Sequence, residues 1–321
     1  MRELNLAGRM LVIAYSSFGD VISKFGAVRE LKRKNPHLYI TWLVCSPYRE
    51  LVASQPFVDE IIVWDRSQGN IGFAKLLLEI RRCKFDIVLD LQRSDRALVM
   101  TLFSRASQRI GWHAWFPYVH NFFVQDALAF LGIDTNVLEK PRIFVPEEAK
   151  KRVKLLLGSP DLPLILCIIG ASKPEKCWPV ANWIEFLNLL TDLNVIPFLI
   201  GHGELEEDWG QTICSSTTNK RVKNLIGKLS FLEMGAACSV AAVALGGDTG
   251  PLHLAEAIGT STIGLFGPTD PWDAGYKDIV FITVNCPHLG CQNWDCTSPC
   301  MKTLNPLEIF DVAREIIHKR A

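Results

Sequence analysis

Gly246-Gly247-Asp248-Thr249-Gly250-Pro251-Leu252-His253-Leu254 reads as the joint between a buried strand and a helix. The run before it, Ser239-Val240-Ala241-Ala242-Val243-Ala244-Leu245, is short, apolar and closed by two glycines, as a strand leaving a sheet is. Asp248 or Thr249 suits the N-cap of the next helix, and Pro251 suits its first turn, where the missing N–H has no intrahelical partner to lose. Backbone N–H groups at such a helix start face outward with partial positive charge and favour an anion. His253 follows one turn further in, within reach of a phosphate or sugar oxygen. The same residues also read as an ordinary capped helix of an α/β domain with a satisfied histidine.

Working outward, the chain alternates between strand-like and helix-like segments. Met10–Ser16, Tyr39–Cys45, Glu60–Asp65 and Phe85–Leu91 read as strands. An amphipathic stretch ends near Lys34, and Phe73–Arg82 and Asp95–Arg105 carry helical spacing. Glu139-Lys140-Pro141-Arg142-Ile143-Phe144-Val145-Pro146 is proline-bracketed and reads as a linker. Beyond it, Leu162–Gly170, Val195–Gly201, Val222–Ile226, Val240–Leu245, Ser261–Phe266 and Ile279–Val284 are strand candidates. Val180–Thr191 and Asn305–Lys319 read as helices. Alternating strands and helices require crossover connections and predict parallel, doubly wound sheets. The expected division is residues 1–146, residues 147–304 and a final helix, 305–321, packing back on the first domain.

The composition bounds the possibilities. A length of 321 residues fits two domains of ordinary size. Lys plus Arg and Asp plus Glu both total 34, so no overall charge calls for a nucleic-acid partner. The start, Met1-Arg2-Glu3-Leu4-Asn5-Leu6-Ala7-Gly8-Arg9, is too short and charged for a signal peptide, and no apolar run reaches membrane-spanning length. Ten cysteines scattered over a large domain predict a reducing, cytoplasmic setting.

Several side chains fall at the predicted strand ends, where ligands of open α/β sheets bind. Asp20 follows Gly19 after the first strand; it reads either as a general base for a substrate hydroxyl or as a helix cap. Ser16-Ser17-Phe18-Gly19-Asp20 lacks the G-x-G-x-x-G pattern, and no G-x-x-x-x-G-K-[ST] occurs, which argues against nicotinamide and P-loop chemistry. In the second half, Ala171-Ser172-Lys173-Pro174-Glu175-Lys176-Cys177-Trp178-Pro179 brings Ser172 and Lys176 to the same sheet edge as Asp248. A lysine there would neutralise a departing diphosphate. Gly201-His202-Gly203-Glu204 supplies an acid of the kind that accepts hydrogen bonds from ribose hydroxyls.

Taken together, these pieces resemble glycosyltransferase family 9, the ADP-heptose:lipopolysaccharide heptosyltransferases, over nearly the whole chain. Four motifs carry the resemblance in order: Gly19-Asp20-Val21-Ile22, Lys176-Cys177-Trp178-Pro179, Asp248-Thr249-Gly250-Pro251-Leu252-His253-Leu254 and Gly264-Leu265-Phe266-Gly267-Pro268-Thr269-Asp270-Pro271. The resemblance implies a GT-B architecture, two Rossmann-like doubly wound domains facing a central cleft, and an inverting transfer that needs neither metal nor cofactor. It implies Asp20 as base, Lys176 and Ser172 at the donor phosphates or sugar, and Glu204 at the ribose. Asp248 would meet the sugar, Thr249, Gly250 and His253 the diphosphate, and Leu229 the base. The implied partners are a nucleotide-sugar donor, ADP-heptose, and an anionic Kdo-lipid A core acceptor. The enzyme would be cytoplasmic and in transient contact with the inner face of the inner membrane. Two departures stand out: Ser23-Lys24-Phe25-Gly26 replaces a segment with Thr and Pro, and Ala171 stands where a hydroxyl residue is frequent.

Arg93, Arg96, Arg105 and Arg109, with the aromatic run Trp112-His113-Ala114-Trp115-Phe116-Pro117-Tyr118, read as an acceptor surface or as a solvated helix face. Of these, Arg93 and Arg96 are the acceptor-binding candidates, since arginine suits carboxylate and phosphate. Cys286, Cys291, Cys296 and Cys300 form C-x4-C-x4-C-x3-C, a spacing that overlaps structural metal sites but lacks a C-x-x-C pair. Reduced thiols are the favoured reading there. The rival functions are another GT-B enzyme with a different donor or acceptor, a nucleotide-sugar epimerase, and a non-catalytic bilobed sugar-binding protein.

Overall fold

The computed structural model describes residues 6–111, 120–121, 131–133, 143–158, 162–272, 279–296 and 300–320. The chain divides into two units, Met1–Phe144 and Val145–Ala321. In the first, β1 (Arg9–Ile13), β2 (Tyr39–Cys45), β3 (Glu60–Trp64), β4 (Ile87–Asp90), β5 (Gln108–Gly111) and β6 (His120–Asn121) form one parallel sheet in the order β3-β2-β1-β4-β5-β6. Helices α1 (Phe18–Lys34), α2 (Arg49–Ala53), α3 (Gly69–Cys83) and α4 (Asp95–Ser104) connect the strands. The central strands β1, β2 and β4 are short and largely apolar because both sheet faces are covered there. Leu11, Ile13, Leu43, Val88, Leu76, Ile80 and Met100 share one core cluster.

The second unit repeats the plan. Its strands β7 (Leu164–Ile168), β8 (Ile196–Ile200), β9 (Lys223–Asn224), β10 (Val243–Gly247), β11 (Ser261–Phe266) and β12 (Val280–Thr283) are ordered β12-β11-β10-β7-β8-β9. Its helices are α5 (Glu147–Leu157), α6 (Val180–Leu189), α7 (Glu204–Ser216), α8 (Phe231–Val240), α9 (Gly250–Ile258) and α10 (Pro306–Arg320). In each sheet the strand order reverses once, between β1 and β4 and between β7 and β10. Such a reversal opens a crevice at the carboxyl ends of the two central strands, the usual ligand position of a doubly wound sheet. Trp178, Trp183 and Phe186 pack edge to face within the core of this unit, with ring centroids 4.9 to 6.2 Å apart. The Trp178 indole N–H donates to the Leu304 carbonyl (3.2 Å), which ties the chain end to the Lys176 loop.

Some elements differ from the sequence reading. Ser239 and Val240 belong to the end of α8 rather than to a strand, which begins only at Val243. The helix is set by a capping box: Ser230 N–H donates to Glu233 Oε2 (2.9 Å), and Glu233 N–H donates to Ser230 Oγ (3.2 Å). Ile309, Phe310, Ala313 and Ile317 of α10 lie in the core of the second unit. Among the described residues no helix is long and apolar enough to cross a membrane. The aromatic run at 112–118 lies outside the described residues.

Candidate active site

In the first unit, β1 leads into α1 and places Asp20 in the first helical turn, exposed to solvent. Its Oδ2 accepts from the Ser17 N–H (3.1 Å) and the Ser17 hydroxyl (2.8 Å). The capping role and the position at the sheet's reversal therefore coincide. The neighbouring strand end is locked to the same loop. Gln92 Oε1 accepts from the Tyr15 and Ser16 N–H groups (2.7 and 3.0 Å), while Gln92 and Arg93 N–H groups donate to Asp90 Oδ1 (2.9 and 3.1 Å). Arg93 is exposed and holds a left-handed conformation, φ 57°. Arg96 differs: its guanidinium lies over the rings of Trp64 (5.3 Å) and Phe73 (5.5 Å), so its described contacts are structural ones within the unit.

In the second unit, β10 ends at Gly247 and Thr249 caps α9, its Oγ1 accepting from the Leu252 N–H (3.4 Å). Two glycines are needed at this strand end because other backbone passes close by. A Cβ at Gly246 would meet the Ile168 Cβ at 2.7 Å, and one at Gly247 would meet the Lys176 carbonyl oxygen at 2.5 Å. That close approach brings the Lys176 loop against the start of α9. Lys176 Nζ then donates to Asp248 Oδ2 at 3.0 Å, with each side chain 13% exposed. His253 Nε2 lies 3.7 Å from the other oxygen, Asp248 Oδ1. Lys176, Asp248 and His253 thus form one cluster beside the first-turn amides of a helix. A fixed ammonium, an imidazole and free-end amide groups together suit a diphosphate.

The other predicted donor residues are spread around this edge. Ser172 is exposed in the loop after β7, and Leu229 is half-buried just before the Ser230 cap. Glu204 is exposed as the first residue of α7. The acid that turns toward the strand ends is Glu206, which the sequence reading passed over. Its Oε2 accepts from the His202 N–H (2.7 Å), and a Cβ at either Gly170 or Gly201 would collide with its carboxyl group. Burial pushes the Glu206 pKa up from its ordinary value, against the opposing His202 hydrogen bond.

Cys286, Cys291, Cys296 and Cys300 line one cavity of about 540 Å³ together with His288 and Glu175. None of the four is in a disulfide. Among the described residues no three His, Cys, Asp or Glu side chains are arranged to hold a metal ion.

Comparison with known proteins adds to this geometry. A family model described as glycosyltransferase family 9 (heptosyltransferase) matches residues 73–302. Lipopolysaccharide heptosyltransferase 1 of Pseudomonas aeruginosa is 24% identical over 339 residues, spanning 96% of this chain and 92% of that protein. Among solved structures, a family 9 glycosyl transferase from Veillonella parvula superposes with a TM-score of 0.87 at 19% identity, covering 98% of this chain and 99% of the other. The ADP-heptose lipopolysaccharide heptosyltransferase II of E. coli gives a TM-score of 0.79 at 19% identity, covering 97% and 99%. The fold is the GT-B type with two Rossmann-like units.

Proposed function

This chain belongs to glycosyltransferase family 9, the heptosyltransferase family, and from that premise we propose that it moves a heptose from ADP-heptose to the inner core of lipopolysaccharide, with inversion. The observation that carries the reading is the Lys176–Asp248–His253 cluster at the start of α9. Loss of ADP from a sugar leaves negative charge on the β-phosphate. Lys176, already held in place by Asp248, neutralises that charge without first having to be ordered. The amides at Thr249 and Gly250 and the His253 ring complete the phosphate contacts. Glu206, rather than Glu204, is the acid positioned for ribose hydroxyls, since its carboxylate is half-buried against the strand ends. Ser172 and Leu229 border the donor sugar and the base.

Asp20 on the first unit takes the proton of the acceptor hydroxyl as its oxygen attacks the anomeric carbon. The bond from that carbon to the phosphate oxygen breaks, and ADP leaves with the electron pair. Attack opposite the leaving group inverts the configuration. The Ser17 hydrogen bonds hold the Asp20 carboxylate in place for this role. In this reading Asp20→Asn keeps its affinity for ADP, measured by calorimetry, while transfer falls by about 100-fold to 10,000-fold. Transfer within tenfold of the parent would remove Asp20 as the base.

A further inference from the structure

The connection from β12 to α10 carries Cys286, Cys291, Cys296 and Cys300, and all four line one cavity. Two successive turns fold the chain back between the first pair. Leu289 N–H donates to the Cys286 carbonyl (3.2 Å) and Cys291 N–H to the His288 carbonyl (3.0 Å). The turned segment is pinned to the loop after β11, since Gly290 and Gln292 N–H groups donate to the Gly267 and Pro268 carbonyls (3.0 and 2.8 Å). Gly267 also makes room for Cys300, because a Cβ there would meet the Cys300 Sγ at 2.8 Å. Asn293 N–H donates to Cys291 Sγ (3.5 Å), and hydrogen bonds to a ligand atom orient it toward a metal.

Glu175 closes the cavity from the Lys176 loop, where the turn Pro174–Lys176 packs against the turn Cys300–Thr303. Its Oε2 is buried and has no hydrogen-bond partner. A buried carboxylate oxygen is costly without a donor or a cation to face. Among the described residues no lysine or arginine lines the cavity. Lys173 lies over the Trp294 ring (5.8 Å), Lys176 pairs with Asp248, and Lys302 is exposed. The polar wall is thus four sulfurs, the His288 ring and one carboxylate, with Asn285, Asn293 and Thr303 between them. Sulfur ligands in this number select a thiophilic divalent cation, in tetrahedral geometry, over magnesium or calcium.

We propose that Cys286, Cys291, Cys296 and Cys300 bind one thiophilic divalent cation, as a structural centre that holds the β12–α10 connection against the Lys176 loop. The centre takes no part in sugar transfer. No three of the described side chains converge on one point as they stand, so the sulfurs turn inward from the cavity walls. One change of rotamer at χ1 moves a cysteine sulfur by about 3 Å, which spans such a rearrangement. Only the thiolate is a ligand, so four protons pass to solvent as four metal–sulfur bonds form, with no change of oxidation state. What the filled site fixes is the wall beside Glu175, next in the chain to the Lys176 that meets Asp248.

The test is titration of the full chain with cobalt(II), after purification without a metal-affinity column and treatment with chelator and reductant. The parent takes up one cobalt per chain and develops a sulfur-to-cobalt charge-transfer band with the visible bands of a tetrahedral site; zinc then removes the colour. Cys291→Ser and Cys300→Ser each lower zinc affinity at least about tenfold in competition with a chelating dye. Cys83→Ser, in the first unit, leaves it unchanged. Zinc raises the melting temperature of the parent and not that of Cys291→Ser. A parent that takes up no cobalt, or takes it up without the sulfur band, overturns the proposal whether or not the variants fold. So does zinc affinity unchanged by both serine substitutions. None of these readouts uses the sugar donor or acceptor, so the result stands apart from the heptosyl-transfer reading.

Discussion

Replacing Gly247 by alanine tests the close approach on which the donor cluster depends. The added Cβ would sit 2.5 Å from the Lys176 carbonyl oxygen, about 0.9 Å inside the 3.4 Å at which ordinary contact begins. Both partners are backbone, at the end of β10 and in the Lys176 loop, so no flexible side chain turns aside. Overpacking of this kind costs about 1–3 kcal/mol. For a unit of this size that lowers the melting temperature by about 2–12 °C. The retreat of Lys176 also draws its ammonium away from the 3.0 Å contact with Asp248. A misplacement near 1 Å lowers kcat/KM for the donor by about 100-fold. Gly235→Ala is the matched control. It lies inside α8, where a new Cβ meets Val145, Ile258 and Leu254 side chains at 3.6 to 3.9 Å, ordinary contact distances. There alanine raises stability by up to about 1 kcal/mol through helix propensity. Thermal unfolding and donor kinetics on both variants decide the matter. A Gly247→Ala protein as stable and as active as the parent would refute the account of this strand end.

Further outcomes follow from the same unit. Asp248→Ala leaves the mostly buried Lys176 ammonium without its carboxylate and costs about 3 kcal/mol in urea unfolding, whereas Lys176→Met combined with Asp248→Leu recovers most of that loss. A single variant no less stable than the parent would show that the pair is not coupled. Glu206 has its pKa raised in the fold, so the folded state prefers its protonated form. Its contribution is therefore present at low pH and lost as pH rises through the raised pKa. Stability of the parent minus that of Glu206→Gln falls across that window; a difference independent of pH from 4 to 8 would contradict the burial.

Much of this was legible in the residues, and the failures have local causes. Tyr39–Cys45 and Ser261–Phe266 are strands over the predicted spans because each is rich in apolar and β-branched residues and is closed by a turn pair, Ser46-Pro47 and Gly267-Pro268. Thr249 is one of the two predicted caps, and Pro251 lies in the first turn of α9. Lys176 and Asp248 are far apart in sequence, but each follows a central strand of one sheet, so topology alone brings them to one edge. Phe231–Val240 carries no period of 3.6 because Phe-Leu-Glu-Met-Gly-Ala-Ala-Cys-Ser-Val is apolar on nearly every face, so its one helix signal in the sequence is the Ser230-x-x-Glu233 start. The three acids Glu204, Glu206 and Glu207 look alike in sequence. Only the bare backbone at Gly170 and Gly201 selects Glu206, and that is a tertiary fact. Arg93 and Arg96 likewise share a residue type and a neighbourhood, yet Arg96 lies over Trp64 and Phe73 because β3 and α3 bring those rings beneath it.

The most direct measurement is a reaction of the purified chain with ADP-heptose and a truncated Kdo-lipid A acceptor, following ADP release together with acceptor mass. The account predicts ADP release that depends on the acceptor and an acceptor heavier by one heptose. Release of ADP without acceptor gain, or no turnover and no ADP binding by calorimetry, would contradict it.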